Sequence, residues 1–401
     1  MENKVPTFTF CITSKDNLRY LKHAIKYIRK NCYNKEHRVL VFIDSDKDKT
    51  EEWCISNKID YIKNPEEELY GIGRAYNLLV EKAQTDFVII YHADMIAAKN
   101  LDVNLYKHWK EGYIISATRV EPPLHPEDPS KVVKDFGLWP EKNISEGFQE
   151  EAFISFIEKK LQEFEGKTTR GVFAPWLVRK KDFEAVGGHD SIMKSHSEDR
   201  DLFNRFYLKK YTLLQSWDAI VYHLTCRGGQ FEHATETEDL TRKSQDWNKL
   251  AHNQTREFIR KWGSPPVYDA YQHPIVPPKY DIGISVKNCT AQLLQLLEPW
   301  CDTIYIDEGN TPVLLKNYIE KEQPNTAIDL NARVKPFEAE RADEILVDIN
   351  GNNFQQSDFQ LLQQLPQIIK DNGEVGEFEL GNLQIKIIEM NEYQDTLINI
   401  Y

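Results

Sequence analysis

The chain has 401 residues, 41% of them hydrophobic, and a formal net charge of −13. That length and apolar content support more than one packed domain. The acidic surplus repels phosphate backbones and sets nucleic acid aside as a main partner.

The first third alternates short apolar runs with helical spacing. Thr7–Thr13 reads as a buried strand and Asn17–Lys30 as a helix, with Leu18, Leu21, Ala24, Ile25 and Ile28 on one face. Val39–Ile43 is the next strand and ends at Asp44. A short helix over Thr50–Asn57, a strand over Asp60–Ile62, a helix over Gly73–Ala83 and a strand over Phe87–Tyr91 follow. This alternation predicts an α/β fold with a mainly parallel sheet covered on both faces. The stretch Val120–Gly147 is rich in proline and charge and reads as a long loop, followed by a helix over Glu150–Phe164. A compact segment begins near Gly171 and runs through Val221–His223, and a helical segment over Thr241–Trp262 closes the first domain, residues 1–262.

Gly263–Lys279 holds five prolines and reads as a stiff linker. Beyond it, residues 280–401 form a smaller α/β domain of Rossmann-like rhythm. Strand-like Ile282–Val286, Thr303–Ile306 and Ile345–Ile349 alternate with helical Ala291–Leu297, Val313–Glu322 and Phe359–Lys370. Gly376–Leu380 and Leu383–Glu389 pair around Gly381-Asn382. The second domain carries no comparable constellation of reactive residues, so an accessory role is expected: structural, acceptor-recruiting, or homo-oligomerising.

Six cysteines are present and none forms a Cys-x-x-Cys pair. They read as buried free thiols in a reducing compartment. No run approaches the ~20 apolar residues that span a bilayer, and the N-terminal apolar run is too short for a signal peptide. A cytoplasmic protein without a transmembrane segment is expected, with peripheral membrane contact left open.

Open parallel sheets bind ligands at the carboxyl ends of their strands. That rule selects Thr13-Ser14, Asp44-Ser45-Asp46 and His92-Ala93-Asp94. No Gly-x-Gly-x-x-Gly follows the first strand, which disfavours an NAD-type site. Asp94, just after the apolar FVIIY run, suits a hard cation that bridges to phosphate. As an isolated residue it also reads as a helix N-cap or loop aspartate.

In order and spacing, these segments resemble the family 2 glycosyltransferases of the GT-A fold over roughly residues 5–225. The resemblance is carried by FCITSKDN, FIDSD, Gly71-Ile72-Gly73-Arg74-Ala75-Tyr76-Asn77, the His92-Ala93-Asp94 motif, GVFAPWLVRKKDFEAVGGHD, and Glu198-Asp199 opening a helix. The family has Asp-x-Asp where His92 stands first here. The resemblance implies an inverting transfer of a sugar from a nucleotide-diphosphate donor, expected to be a UDP-sugar, to a glycan or other hydroxyl acceptor. It also implies a divalent metal, Mn²⁺ or Mg²⁺. Asp199 corresponds to the general base that takes the acceptor proton, with Glu198 beside it on the acceptor side.

Asp94 is the implied metal ligand, and His223 reads either as a further ligand or as a packed strand histidine. His92 either joins the metal or bonds to the donor's ribose or phosphate. Thr13, Asp44, Arg74 and Arg227 are the expected donor contacts, with Arg74 pairing to diphosphate. Trp176 and Trp139 are the candidate aromatic platforms for an acceptor sugar. Two other readings stay in view: a sugar nucleotidyltransferase, which lacks its glycine-rich loop here, and a glycan- or sugar-nucleotide-binding protein of the same ancestry without catalysis.

Overall fold

The computed structural model describes residues 5–138, 147–226, 243–307 and 311–398. It divides into two compact units, Met1–Leu250 with Tyr268–Pro274, and Ala251–Val267 with Ile275–Tyr401.

The first unit is built on one sheet. Its strands are β1 Phe8–Lys15, β2 Arg38–Ser45, β3 Asp60–Lys63, β4 Phe87–His92, β5 Met95–Ala97, β6 Tyr113–Glu121, β7 Lys131–Val133, β8 Thr168–Arg170, β9 Trp176–Arg179 and β10 Thr212–His223. Their spatial order is β3-β2-β1-β4-β9-β6-β10-β5, with β7 on β6 and β8 on β10. The run from β3 to β4 is parallel, as is β6 with β10, while β9 and β5 are antiparallel to their neighbours. The apolar β1 and β4 are buried on both faces, Phe8, Phe10, Ile12, Val88 and Ile89 being fully inaccessible, as expected of central parallel strands. The helix Leu18–Asn31 buries Leu21, Ala24, Ile25 and Ile28, the stripe that its spacing predicts.

Strand β6 is not anticipated from its sequence. YIISATRVE interleaves Ser116, Thr118 and Arg119 with apolar residues, which hides a strand buried on both faces. The polar groups are satisfied inside the sheet: the Thr118 hydroxyl donates to the Ser216 carbonyl at 3.1 Å, and Gln215 Nε2 donates to Thr118 Oγ1 at 2.8 Å. The proline-rich stretch that follows contains β7.

The 263–279 segment is not a plain extended linker. Its middle, Tyr268–Pro274, groups with the first unit, turned by the Asp269 carboxylate, which accepts from Tyr271 and His273 N–H at 2.8 and 2.9 Å. The helix Gln245–Trp262 is shared, its residues from Ala251 onward grouping with the second unit. In that unit they meet a buried charge cluster. Glu298, fully inaccessible, pairs with Arg260 at 2.8 Å and Arg333 at 2.6 Å and accepts from the Tyr318 hydroxyl at 2.8 Å.

The second unit has β11 Ile282–Lys287, β12 Thr303–Ile306, β13 Val334–Pro336, β14 Ile345–Asn350, β15 Gly376–Leu380 and β16 Leu383–Ile387. Their order is β13-β12-β11-β14-β16-β15, parallel up to β14 and closed by the expected antiparallel hairpin. Its core is separate and includes Ile284, Leu294, Ile304, Ile345 and Leu365. Among the described residues no helix is long and apolar enough to cross a membrane. All six cysteines carry free thiols.

Candidate active site

Thr13 closes the β1–β4 register beside His92. Past His92 the chain turns through Ala93 and Asp94 into β5, which lies at the far edge of the sheet against β10. The register places His223, the last residue of β10, beside Met95, and the Leu224 N–H donates to the Asp94 carbonyl at 3.0 Å. His92, Asp94 and His223 therefore converge from distant segments. One ligand atom from each lies within 4.8 Å of those of the other two.

These groups line a cleft of about 600 Å³, together with Thr13, Ser14, Lys15, Asn17, Asp44, Phe173, Lys194, Glu198, Asp199, Ser244, Asp246, Trp247 and Leu250, among others. The cleft thus gathers Thr13, Asp44, His92, Asp94, Glu198, Asp199 and His223 from the residues singled out by sequence.

The acidic helix is held by two glycine-dependent contacts. Gly71 has φ +91°, and a Cβ there would lie 2.7 Å from the Lys194 carbonyl oxygen. Gly188 has φ +68°, and a Cβ there would lie 2.6 Å from Asn77 Oδ1. Asn77 in turn accepts from the His189 N–H and donates to the His189 carbonyl, both at 2.7 Å. The Gly-rich helix start and the Val-Gly-Gly turn are thereby locked together, and the helix Glu198–Leu208 begins ten residues after Gly188. One turn on, the fully buried Asp201–Arg205 pair at 2.6 Å anchors it. Arg200 is fixed by the Tyr268 ring, 3.8 Å from its guanidinium carbon.

Burial and the charge of Asp199 push the Glu198 carboxyl above its ordinary range, and burial also raises Asp199. Such carboxylates are more basic than exposed ones. His92 is pushed down to about 4, chiefly by burial, and so presents a neutral imidazole. His223 Nδ1 lies 2.8 Å from Glu121 Oε1, and its Nε2 lies 3.7 Å from Asp94 Oδ1.

This donor set fits a divalent cation: one carboxylate oxygen and two imidazole nitrogens, with one imidazole already oriented by an outer carboxylate. A second cluster, Cys32, His37 and Asp102, has similar spacing but does not fit. His37 Nδ1 accepts from the Phe8 N–H at 2.9 Å, and its Nε2 contacts Asp102 at 3.0 Å. Asp102 also accepts from Tyr33 and Asn34 N–H. Both ring nitrogens are used in structural hydrogen bonds.

Two expectations change. Arg74 does not line the cleft: it pairs with Glu66 at 2.6 Å and stacks over the Tyr70 ring at 3.9 Å. The cleft's lysines are Lys15 and Lys194. Trp176 is fully buried against Phe183, Phe203 and Phe206, so its ring is core rather than a sugar platform. Among the described residues the tryptophan on the cleft wall is Trp247, which sequence reasoning passed over because it sits on a polar helix without a motif. Trp139 and Arg227 lie outside the described residues. Glu121 was also missed. It ends β6, and the strand-end rule selects it once that strand is recognised.

The layout is that of an α/β ligand-binding fold with its cleft at the carboxyl ends of a mainly parallel sheet. Residues 9–187 match the family model described as glycosyl transferase family 2. No curated protein matches the chain. Solved structures similar to it include GalNAc-T7 with UDP, GalNAc and Mn²⁺, at 14% identity and TM-score 0.41 over 56% of this chain and 44% of that one. S. aureus TarS 1–349 aligns at 14% identity and TM-score 0.37 over 55% of this chain and 60% of that one. The mannosyltransferase PcManGT from Pyrobaculum calidifontis, in complex with GDP-Man and Mn²⁺, aligns at 14% identity and TM-score 0.38 over 55% of this chain and 57% of that one. The aligned part therefore spans less than two thirds of each of these chains.

Proposed function

We propose that the chain is a metal-dependent, inverting glycosyltransferase that moves a sugar from a nucleotide-diphosphate donor to an acceptor hydroxyl. The observation that carries this reading is the meeting, in one cleft, of a cation-binding set (Asp94, His223 and His92) with a pair of basic carboxylates (Glu198 and Asp199). The family match over residues 9–187 supports it.

Asp94 and His223 would hold the divalent ion, with His92 as third donor. When bound, the ion supplies charge stabilisation to the departing diphosphate. Two imidazoles favour Mn²⁺ over Mg²⁺, which prefers oxygen. Thr13 and Asp44, at the ends of β1 and β2, take the nucleoside half. Asp44 is fixed for this by the Tyr70 N–H at 2.7 Å and Asn64 Nδ2 at 3.0 Å. Lys15 and Lys194 take the role first expected of Arg74. Asp199 accepts the proton of the acceptor hydroxyl as it attacks the anomeric carbon, and its raised basicity suits that work. Glu198 orients the acceptor, and Trp247 offers the aromatic wall in place of Trp176. With one base and one leaving-group site, a single displacement with inversion follows, and no glycosyl-enzyme intermediate is required.

The test is turnover of UDP- and GDP-sugars with and without Mn²⁺, using water and simple glycosides as acceptors. Ion-dependent release of nucleoside diphosphate is expected. Failure of every donor to bind or react with any divalent ion contradicts the proposal.

A further inference from the structure

We infer that Glu121 is a positioning residue for this metal centre: it keeps His223 protonated on Nδ1, so that Nε2 holds its lone pair toward Asp94 and a cation. The inference rests on the metal reading above.

Strand β10 lies between β6 and β5, with Tyr222 beside Val120 and His223 beside Met95. The chain positions at these strand ends are therefore Glu121, His223 and Asp94, in that spatial order. Glu121 is 2% exposed, and its Oε1 lies 2.8 Å from His223 Nδ1. The same Oε1 accepts from Arg119 at 3.0 Å, and Lys131 lies 3.2 Å from Oε2. Arg119 is in turn tied to the Ser130 hydroxyl at 3.0 Å.

A carboxylate held by two cations can only accept a hydrogen bond from the imidazole. When the ring carries a single proton, that proton therefore sits on Nδ1, and Nε2 carries the lone pair. The 3.7 Å between Nε2 and Asp94 Oδ1 is too long for a hydrogen bond and leaves the two atoms as neighbouring donors to one ion. Glu121 is not among the residues lining the cleft, so its effect passes through the ring. An amide at 121 keeps the size but must set its NH₂ against either Lys131 or the Arg119–His223 side, so the charge-assisted bond that orients the ring is lost.

The test is Mn²⁺ binding, read as loss of the free-ion EPR signal, for the full chain and its Glu121→Gln and Asp94→Ala variants. Glu121→Gln is expected to weaken Mn²⁺ binding about 10–100-fold while the melting temperature stays near that of the parent. A folded Glu121→Gln chain with parental Mn²⁺ affinity, beside a weakened Asp94→Ala, overturns the role of Glu121 and leaves the metal reading standing. Parental affinity in both variants overturns both. The tautomer can also be read without perturbing the cluster, from the imidazole ¹⁵N shifts of the parent chain, with His223 assigned through His223→Gln. A protonated Nδ1 is expected, and a bare Nδ1 with the proton on Nε2 overturns the inference even if Glu121→Gln fails to fold.

Discussion

His223 Nε2 stands 3.7 Å from Asp94 Oδ1, although the two residues are far apart in sequence. The pairing of β5 with β10 brings them together. If this pair holds the ion, Asp94→Ala should weaken metal-dependent donor binding by about tenfold or more, equivalent to roughly 1.4 kcal/mol. Donor affinity in the presence of a chelator should not change. Calorimetric titration with UDP in the presence of Mn²⁺ and of EDTA separates the two, and equal loss in both removes Asp94 from the metal site.

Asp199→Asn should lower turnover by about 10²–10⁴-fold, the usual contribution of a general base, and leave donor affinity near that of the parent. Steady-state kinetics with a parallel binding titration checks this. Retained turnover would move the base elsewhere.

The pH profile carries its own sign. Burial raises the Asp199 carboxyl, and Glu198 beside it is raised further. A base works only when deprotonated, so activity should fall as pH drops through a value above the usual carboxylate range. An acid limb near pH 4 in kcat/KM would mean that the base is an exposed, ordinary carboxylate.

Gly188→Ala places a Cβ 2.6 Å from Asn77 Oδ1 at φ +68°. The strain should cost about 1–3 kcal/mol and loosen the turn that precedes Glu198. Lower melting temperature and lower turnover should appear together. An unchanged melting temperature would show that the turn is not the clamp described here.

In the second unit, Glu298 is held down to about 2 despite its burial, by Arg333 and Arg260 and by the Tyr318 hydroxyl. A depressed carboxylate contributes stability above its unfolded value. That contribution fades as pH falls from about 4.5 toward 2. Glu298→Ala takes the carboxylate from the buried Arg333 and leaves Arg260 with Glu257 alone, and should destabilise this unit by about 3–5 kcal/mol at neutral pH. Chemical denaturation followed by a probe in that unit measures the change.

The strands that build the site differ in how plainly they could be read. VLVFI and FVIIY are uninterrupted apolar runs and FTFCIT is broken only by Thr9, and their polar ends gave Thr13, Asp44 and His92-Ala93-Asp94 directly. YIISATRVE hides its strand because Ser116, Thr118 and Arg119 are buried with partners contributed mostly by other strands. Glu121 was lost with it. Trp176 and Arg74 were misplaced for a related reason. Residue type tells what a side chain can do, but not whether a neighbouring Phe203 or Glu66 has already engaged it. The Glu198-Asp199 pair was legible as the first turn of a helix. Its attachment through Asn77 to His189 joins segments 112 residues apart and depends on tertiary contacts.

The most direct test is release of nucleoside diphosphate from a panel of UDP- and GDP-sugars, measured for the parent chain and Asp199→Asn with Mn²⁺ and with EDTA. The account predicts turnover by the parent with at least one donor, only when Mn²⁺ is present, and its loss in Asp199→Asn. Turnover that survives EDTA, or that Asp199→Asn retains in full, would contradict it.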